Sequence, residues 1–85
     1  MLSPEVIRER LLAALPGSEI EVHDTTGTGD HFAARVVSPA FEGKPMLAQH
    51  RMTYAPVQDL IDSGALHALA LKTYSPSQWA KAQQG

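Results

Sequence analysis

The feature that most constrains the fold is a helical stretch enclosed between two strand-like segments. In residues 31–37, Phe32, Ala34 and Val36 share one face, and in residues 66–74, Leu69 and Leu71 share one parity with His67. Both segments are interpreted as β-strands. A helical crossover between two strands normally makes them parallel and usually adjacent. The two strands are therefore expected to start at the same edge of one sheet.

The N-terminal third of the chain predicts a helix followed by a hairpin. Ser3 is a favourable N-cap, Pro4 suits a first helical position, and Pro16-Gly17 ends the amphipathic pattern that follows. Residues 19–24 alternate between polar and apolar side chains. Because a short loop containing glycine separates them from the next strand, the two runs predict an antiparallel pair.

The second helix is predicted to run from Pro45 to Asp62. Five positions at steps of three and four predict one buried stripe: Leu47, His50, Tyr54, Val57 and Ile61. Pro56 lies inside this stretch, and a proline in an unbroken helix costs about 3 kcal/mol and one backbone hydrogen bond. We therefore expect a kink or a short break near Met52.

The last helix is predicted by a capping box. Ser75-Pro76-Ser77-Gln78 places serine at the cap and proline at the first helical position, and Trp79 is expected to anchor the helix to the sheet. The order is then α-β-β-α-β-α. It predicts an α+β fold with a three-stranded mixed sheet covered by helices, in a single domain over residues 1–85.

Composition excludes several classes of function. The chain contains no cysteine, which excludes disulfides, a thiol nucleophile and a metal site built from its own thiolates. No apolar run approaches the roughly 20 residues of a membrane span, and no secretory signal is visible at the N-terminus. We expect a cytoplasmic protein without a membrane partner. No residue pattern typical of catalysis is found, so we expect no enzymatic activity.

Two histidines are brought together by the predicted topology. His31 opens the second strand and His67 stands near the start of the third, beside the loop that contains Gly27 and Asp30. Imidazole suits iron, zinc and copper, but two ligands do not close a structural zinc site. The pair is either a half-site completed by a partner or water, or two unrelated polar residues. Asp30 either orients the His31 ring or stabilises the turn.

Four short segments form a distinctive set in this order and at this spacing. They are Gly27–Phe32 (GTGDHF), Val37–Lys44 (VSPAFEGK), Gln49–Tyr54 (QHRMTY) and Leu66–Pro76 (LHALALKTYSP). With them the chain resembles the BolA-like family over essentially its whole length. The resemblance implies a fold related to the class II KH fold and a partnership with a monothiol glutaredoxin. In that family the two proteins share a bridging [2Fe–2S] cluster, and glutathione and the glutaredoxin thiolate complete its ligands.

The resemblance also implies which residues are the metal ligands. The C-terminal histidine of the family is matched by His67. The second ligand lies in the loop between the first two strands and is cysteine in one branch and histidine in another. Because this chain has no cysteine, His31 is the matching position. The expected function is a non-catalytic adapter in iron–sulfur cluster trafficking or iron regulation, with no cofactor in the isolated protein.

Nucleic-acid binding by a KH-like transcriptional regulator is the alternative. Arg51, Lys72 and Lys81 are its candidate contacts, in a half of the chain that has more basic than acidic side chains. Solvated surface charge is the more common role of such residues. The Gly-x-x-Gly loop of KH sites is missing, and the net charge is −2. DNA and a weak homodimer stay open as further partners.

Overall fold

Three strands form one mixed sheet in the computed structural model, which describes residues 2–84. The strands lie side by side in the order β1 (Glu19–Asp24), β2 (His31–Val37) and β3 (Ala68–Tyr74). β1 and β2 are antiparallel, and β2 and β3 are parallel, as the crossover predicted. The prediction of a domain over 1–85 includes residues 1 and 85, which lie outside the described residues.

The helices follow the predicted order and confirm the α+β fold. They are α1 (Pro4–Ala14), α2 (Met46–Tyr54), α3 (Gln58–Asp62) and α4 (Pro76–Gln84). Because α2 and α3 together occupy the place of the second predicted helix, the order α-β-β-α-β-α is kept. Within residues 2–84, no helix combines the length and the apolar character needed to cross a membrane.

The second helical segment breaks at a different place from the predicted one. A 3₁₀ turn over Ala55–Val57 separates α2 from α3, so the prediction of a break near Met52 is wrong. Pro56 lies within the turn and has no N–H to offer the α-helical ladder, while its ring is well accommodated in a first turn. The break therefore coincides with the proline rather than preceding it by a turn.

The buried face of α2 also differs from the predicted stripe. Leu47 is 62% exposed, and α2 buries Gln49 and Thr53 in its place. The side-chain amide of Gln49 donates to the backbone carbonyl of Lys44 at 3.0 Å and to Oε1 of Gln78 at 3.1 Å. The Thr53 hydroxyl donates to the backbone carbonyl of Gln49 at 2.8 Å. Because hydrogen-bonded polar groups can be buried at little cost, hydrophobic spacing does not reveal this face.

The core lies between the helices and one face of the sheet. Its buried apolar members come from α1, the strands and the connections between elements: Ile7, Leu11, Leu15, Ile20, Phe32, Ala34, Val36, Phe41, Val57, Leu66 and Leu69. Ile7 and Leu11 of α1 and Leu15 just after it recur every four residues, which places them on one face of that helix. The core therefore supports the sheet from one side only.

α4 is held against the opposite face of the sheet by its cap and by Trp79. Ser75 Oγ accepts from the Gln78 amide at 3.2 Å, and Gln78 Oε1 accepts from the Ser75 amide at 2.9 Å, which is the predicted capping box. The Trp79 ring lies 5.1 Å from that of Tyr74, and the Arg35 guanidinium lies 4.4 Å from the Trp79 ring centroid. Trp79 therefore anchors α4 to the sheet, as predicted.

Candidate metal centre

Asp24 organises the loop between β1 and β2. Its Oδ1 accepts hydrogen bonds from the amides of Thr26 at 3.2 Å and Gly27 at 2.8 Å, and its Oδ2 accepts from the amide of Gly29 at 2.9 Å. Gly27 and Gly29 have φ values of 77° and 75°, a region in which glycine carries no Cβ penalty. The loop therefore follows one defined path to the start of β2.

The backbone carbonyl of Asp30 joins this loop to the start of β3. It accepts hydrogen bonds from the amides of His67 at 2.9 Å and Ala68 at 3.2 Å, and the regular strand begins only at Ala68. Strict alternation would place His67 on the sheet face of Leu69, opposite to the face of His31. Because His67 precedes the strand, its ring is free to lie next to the His31 ring.

The structure brings the two predicted ligands together. The ring centroids of His31 and His67 are 5.7 Å apart, and the ring planes are nearly perpendicular at 84°. The two side chains are 44% and 56% exposed, so a second molecule can reach both rings. Their role as metal ligands stays a prediction at this stage.

The carboxylate of Asp30 contacts both rings. Oδ1 accepts a hydrogen bond from His31 Nδ1 at 2.9 Å, and Oδ2 lies 3.2 Å from His67 Nδ1. The pKa of Asp30 is lowered to about 2, because the Thr28 hydroxyl and the His31 ring both donate to the carboxylate. Asp30 therefore both stabilises the turn and orients the His31 ring, with Nε2 of His31 left for an external ligand.

The donor set fits an iron–sulfur cluster that is approached from outside the chain. Two imidazoles on one iron are an established replacement for two thiolates in [2Fe–2S] centres. Both rings are accessible, and the His31 ring is oriented by a carboxylate, as metal-bound histidines commonly are. The chain has no cysteine, so the thiolates of such a cluster have to come from another molecule.

The other two histidines lie on different elements. His23 is exposed on β1, opposite Ala33. His50 is half-buried on α2, and its ring makes no hydrogen bond within the described residues. Both are useful positions for control substitutions, because each is a histidine that lies outside the site.

The three candidate nucleic-acid contacts lie on three different elements. Arg51 is exposed on α2, Lys72 on β3 and Lys81 on α4. Lys72 lines a shallow depression on the sheet face together with Glu21, so one of the three cations shares its surface with a carboxylate. DNA binding stays a prediction, and the geometry adds no support to it.

Asp24 is the site residue that sequence reasoning missed. It contacts neither ring, yet its carboxylate fixes the loop that carries Asp30 and His31. The sequence contained a signal for this role. An aspartate that precedes threonines and glycines often accepts a hydrogen bond from the backbone amide two residues further on. The polar loop was identified from the sequence, but not the residue that holds it.

Comparisons with known proteins support the resemblance seen in the sequence. The family model described as "BolA-like protein" matches residues 5–78, which include both histidines. The chain is similar to human BolA-like protein 2, with 40% identity over 98% of this chain and 96% of that protein. It is also similar to the acid stress protein IbaG of Escherichia coli strain K12, with 31% identity over 88% and 86%.

A solved structure shows the same fold. A bol-like protein from Babesia bovis matches with a TM-score of 0.84 and 28% identity, over 98% of this chain and 95% of the other. The agreement extends over the sheet, the crossover and the helices rather than over one motif.

Proposed function

Because the chain belongs to the BolA-like family, we propose that it is a non-catalytic adapter that binds a monothiol glutaredoxin. In this proposal the two proteins share a bridging [2Fe–2S] cluster, and the role is cluster trafficking or iron regulation. The observation that carries the proposal is the pair of accessible imidazoles, with ring centroids 5.7 Å apart at one end of the sheet. The glutaredoxin thiolate and glutathione supply the other ligands.

Each residue of the site has a separate task in this proposal. His67 and His31 provide the two ligands to one iron. Asp30 accepts from Nδ1 of His31, which fixes the tautomer and leaves Nε2 to face the partner. When bound, the cluster supplies the bond between the two proteins. Because neutral imidazole carries less negative charge than thiolate, histidine ligation also raises its reduction potential.

The test is transfer of the bridging cluster from glutaredoxin homodimers. A cluster-loaded monothiol glutaredoxin is titrated with the protein, and visible absorption and circular dichroism are recorded. We expect a new visible spectrum at one chain per glutaredoxin with the unaltered protein. His67→Ala and His31→Ala should abolish it, since each removes an iron ligand.

His23→Ala is the matched control, because it removes an exposed histidine from the neighbouring strand. It should give the same spectrum as the unaltered protein. Far-ultraviolet circular dichroism of every variant shows whether the fold is kept. A spectrum that survives His67→Ala in a folded variant, or one that disappears with His23→Ala, contradicts the proposal.

A further inference from the structure

The side chains of Asp30, His31 and His67 form a compact donor group, called here the Asp-His-His triad. One ligand atom from each residue lies within 4.8 Å of the other two. We infer that the triad binds a single divalent transition-metal ion within one chain. This site uses the carboxylate as a ligand and requires no partner protein, so it does not depend on the proposed sharing of a cluster.

The distances within the triad are close to those around a metal ion. Asp30 Oδ1 is 2.9 Å from His31 Nδ1, and Oδ2 is 3.2 Å from His67 Nδ1. First-row divalent ions bind nitrogen and oxygen at about 2.0–2.2 Å, so neighbouring ligand atoms on one ion lie about 3–3.5 Å apart. Because both rings are partly exposed, they can rotate to bring the three ligand atoms, now within 4.8 Å of one another, to a common point.

The contact between Asp30 and His67 also favours an ion over a purely hydrogen-bonded arrangement. Oδ2 and His67 Nδ1 are close, but they are not aligned as a hydrogen bond, unlike Oδ1 and His31 Nδ1. Neither nitrogen of the His67 ring is therefore committed to a hydrogen bond with Asp30. An ion between the three side chains would satisfy these donor atoms together.

The donor types select the class of ion. Two imidazoles and one carboxylate suit zinc, iron(II), cobalt(II) and nickel(II), whereas magnesium and calcium prefer oxygen ligands. With three protein ligands, at least one coordination position is left for water, as in open metal sites.

The backbone holds the triad in place. His31 is adjacent to Asp30 in the chain, and the amide of His67 donates to the Asp30 carbonyl at 2.9 Å. The three backbone positions are thus joined before any ion arrives. Because all three side chains are partly exposed, an ion can enter from solvent without opening the fold.

The test is ion binding by the metal-free protein in the absence of glutaredoxin. Zinc binding is measured by isothermal titration calorimetry, and cobalt(II) is added as a spectroscopic probe of nitrogen and oxygen ligation. We expect one zinc ion per chain, visible cobalt bands, and no heat with magnesium. The inference would be overturned if zinc did not bind at a tenfold molar excess over the protein, or if magnesium bound as tightly as zinc.

Variants identify the ligands. Asp30→Asn, which keeps the size of the side chain, and His67→Ala should each weaken zinc binding by more than the roughly 10–100-fold that loss of an outer-shell partner costs. His23→Ala should leave it unchanged. Unchanged zinc affinity in folded Asp30→Asn would show a site of two histidines and overturn the triad.

Stoichiometry and mass distinguish this site from one built between two chains. Sedimentation of the zinc-loaded protein should give a monomer. One zinc ion per two chains, with a dimer, would contradict a site within one chain. Cluster transfer from glutaredoxin is measured separately. If zinc does not bind but cluster transfer is intact, only this inference is overturned. If zinc binds but cluster transfer fails, only the proposed function is overturned.

Discussion

Single residues determine the site through the loop between β1 and β2. Asp24 fixes the loop, and Asp30 contributes a carboxylate to the rings and a carbonyl to the start of β3. Gly29 allows the chain to pass between these two aspartates, since it is buried and has a φ of 75°. The position of both imidazoles therefore depends on a residue that has no side chain.

Gly29→Ala is predicted to damage the site as well as the fold. A Cβ in the left-handed region costs about 1–2 kcal/mol, and relief of that strain moves the adjacent Asp30. We expect a lower midpoint of urea unfolding and an altered circular dichroism spectrum of the cluster complex. Gly64→Ala is the control, because Gly64 has a φ of 82° and open space around it. It should lower stability similarly and leave the spectrum unchanged.

The sequence predicted that the two histidines lie at one edge of the sheet, but it did not predict how the His67 ring comes to lie beside the His31 ring. Alternation along the third strand assigned His67 to the face of Leu69. In the structure, regular pairing of β3 begins only at Ala68. The amides of His67 and Ala68 both donate to the carbonyl of Asp30. Such a shared acceptor is a tertiary hydrogen bond between distant parts of the chain, and no local pattern predicts it.

At the level of elements, the strands were easier to predict than the second helical segment. The bounds of β1 and β2 agree with the prediction, because alternation and a glycine-containing loop define both ends. The face of α2 was not predictable in the same way. Its buried residues are polar, and their partners, among them Gln78 on α4, lie far away in sequence.

Gln49→Ala is predicted to cost about 1–3 kcal/mol, because it removes a buried, hydrogen-bonded amide that links α2 to α4. Leu47→Ala is the control on the same helix. Leu47 is 62% exposed, so its truncation should change stability by no more than about 0.5 kcal/mol. Chemical denaturation of both variants measures this. A larger loss at Leu47 than at Gln49 would restore the stripe predicted from the sequence.

At the level of the whole molecule, carboxylates tie separate elements together. Asp59 of α3 accepts from Arg10 of α1 at 2.5 Å, and Glu21 of β1 accepts from Arg35 of β2 at 2.6 Å. Hydrogen bonding from the arginine in each pair lowers the pKa of both carboxyl groups, and their mutual attraction adds to it. These groups make the fold sensitive to acid.

Stability is predicted to fall as the pH decreases from about 5 toward 3. The pKa of each paired carboxyl is lower in the folded state, so the unfolded chain binds more protons in this range and is favoured by acid. The midpoint of urea unfolding, measured across this range, gives the slope. Glu21→Gln removes one of the titrating carboxyl groups and should make the dependence of the midpoint on pH less steep. A midpoint independent of pH down to 3 would contradict the prediction.

The shared carbonyl of Asp30 has a consequence for recognition. The hairpin tip and the first residues of β3 cannot separate without breaking two backbone hydrogen bonds. The backbone entropy of placing the two histidines side by side is therefore lost when the chain folds and not when a partner arrives. Preorganisation of this kind lowers the cost of association. We therefore expect docking at this end of the sheet to proceed at the rate of productive encounter, without a preceding rearrangement of the backbone.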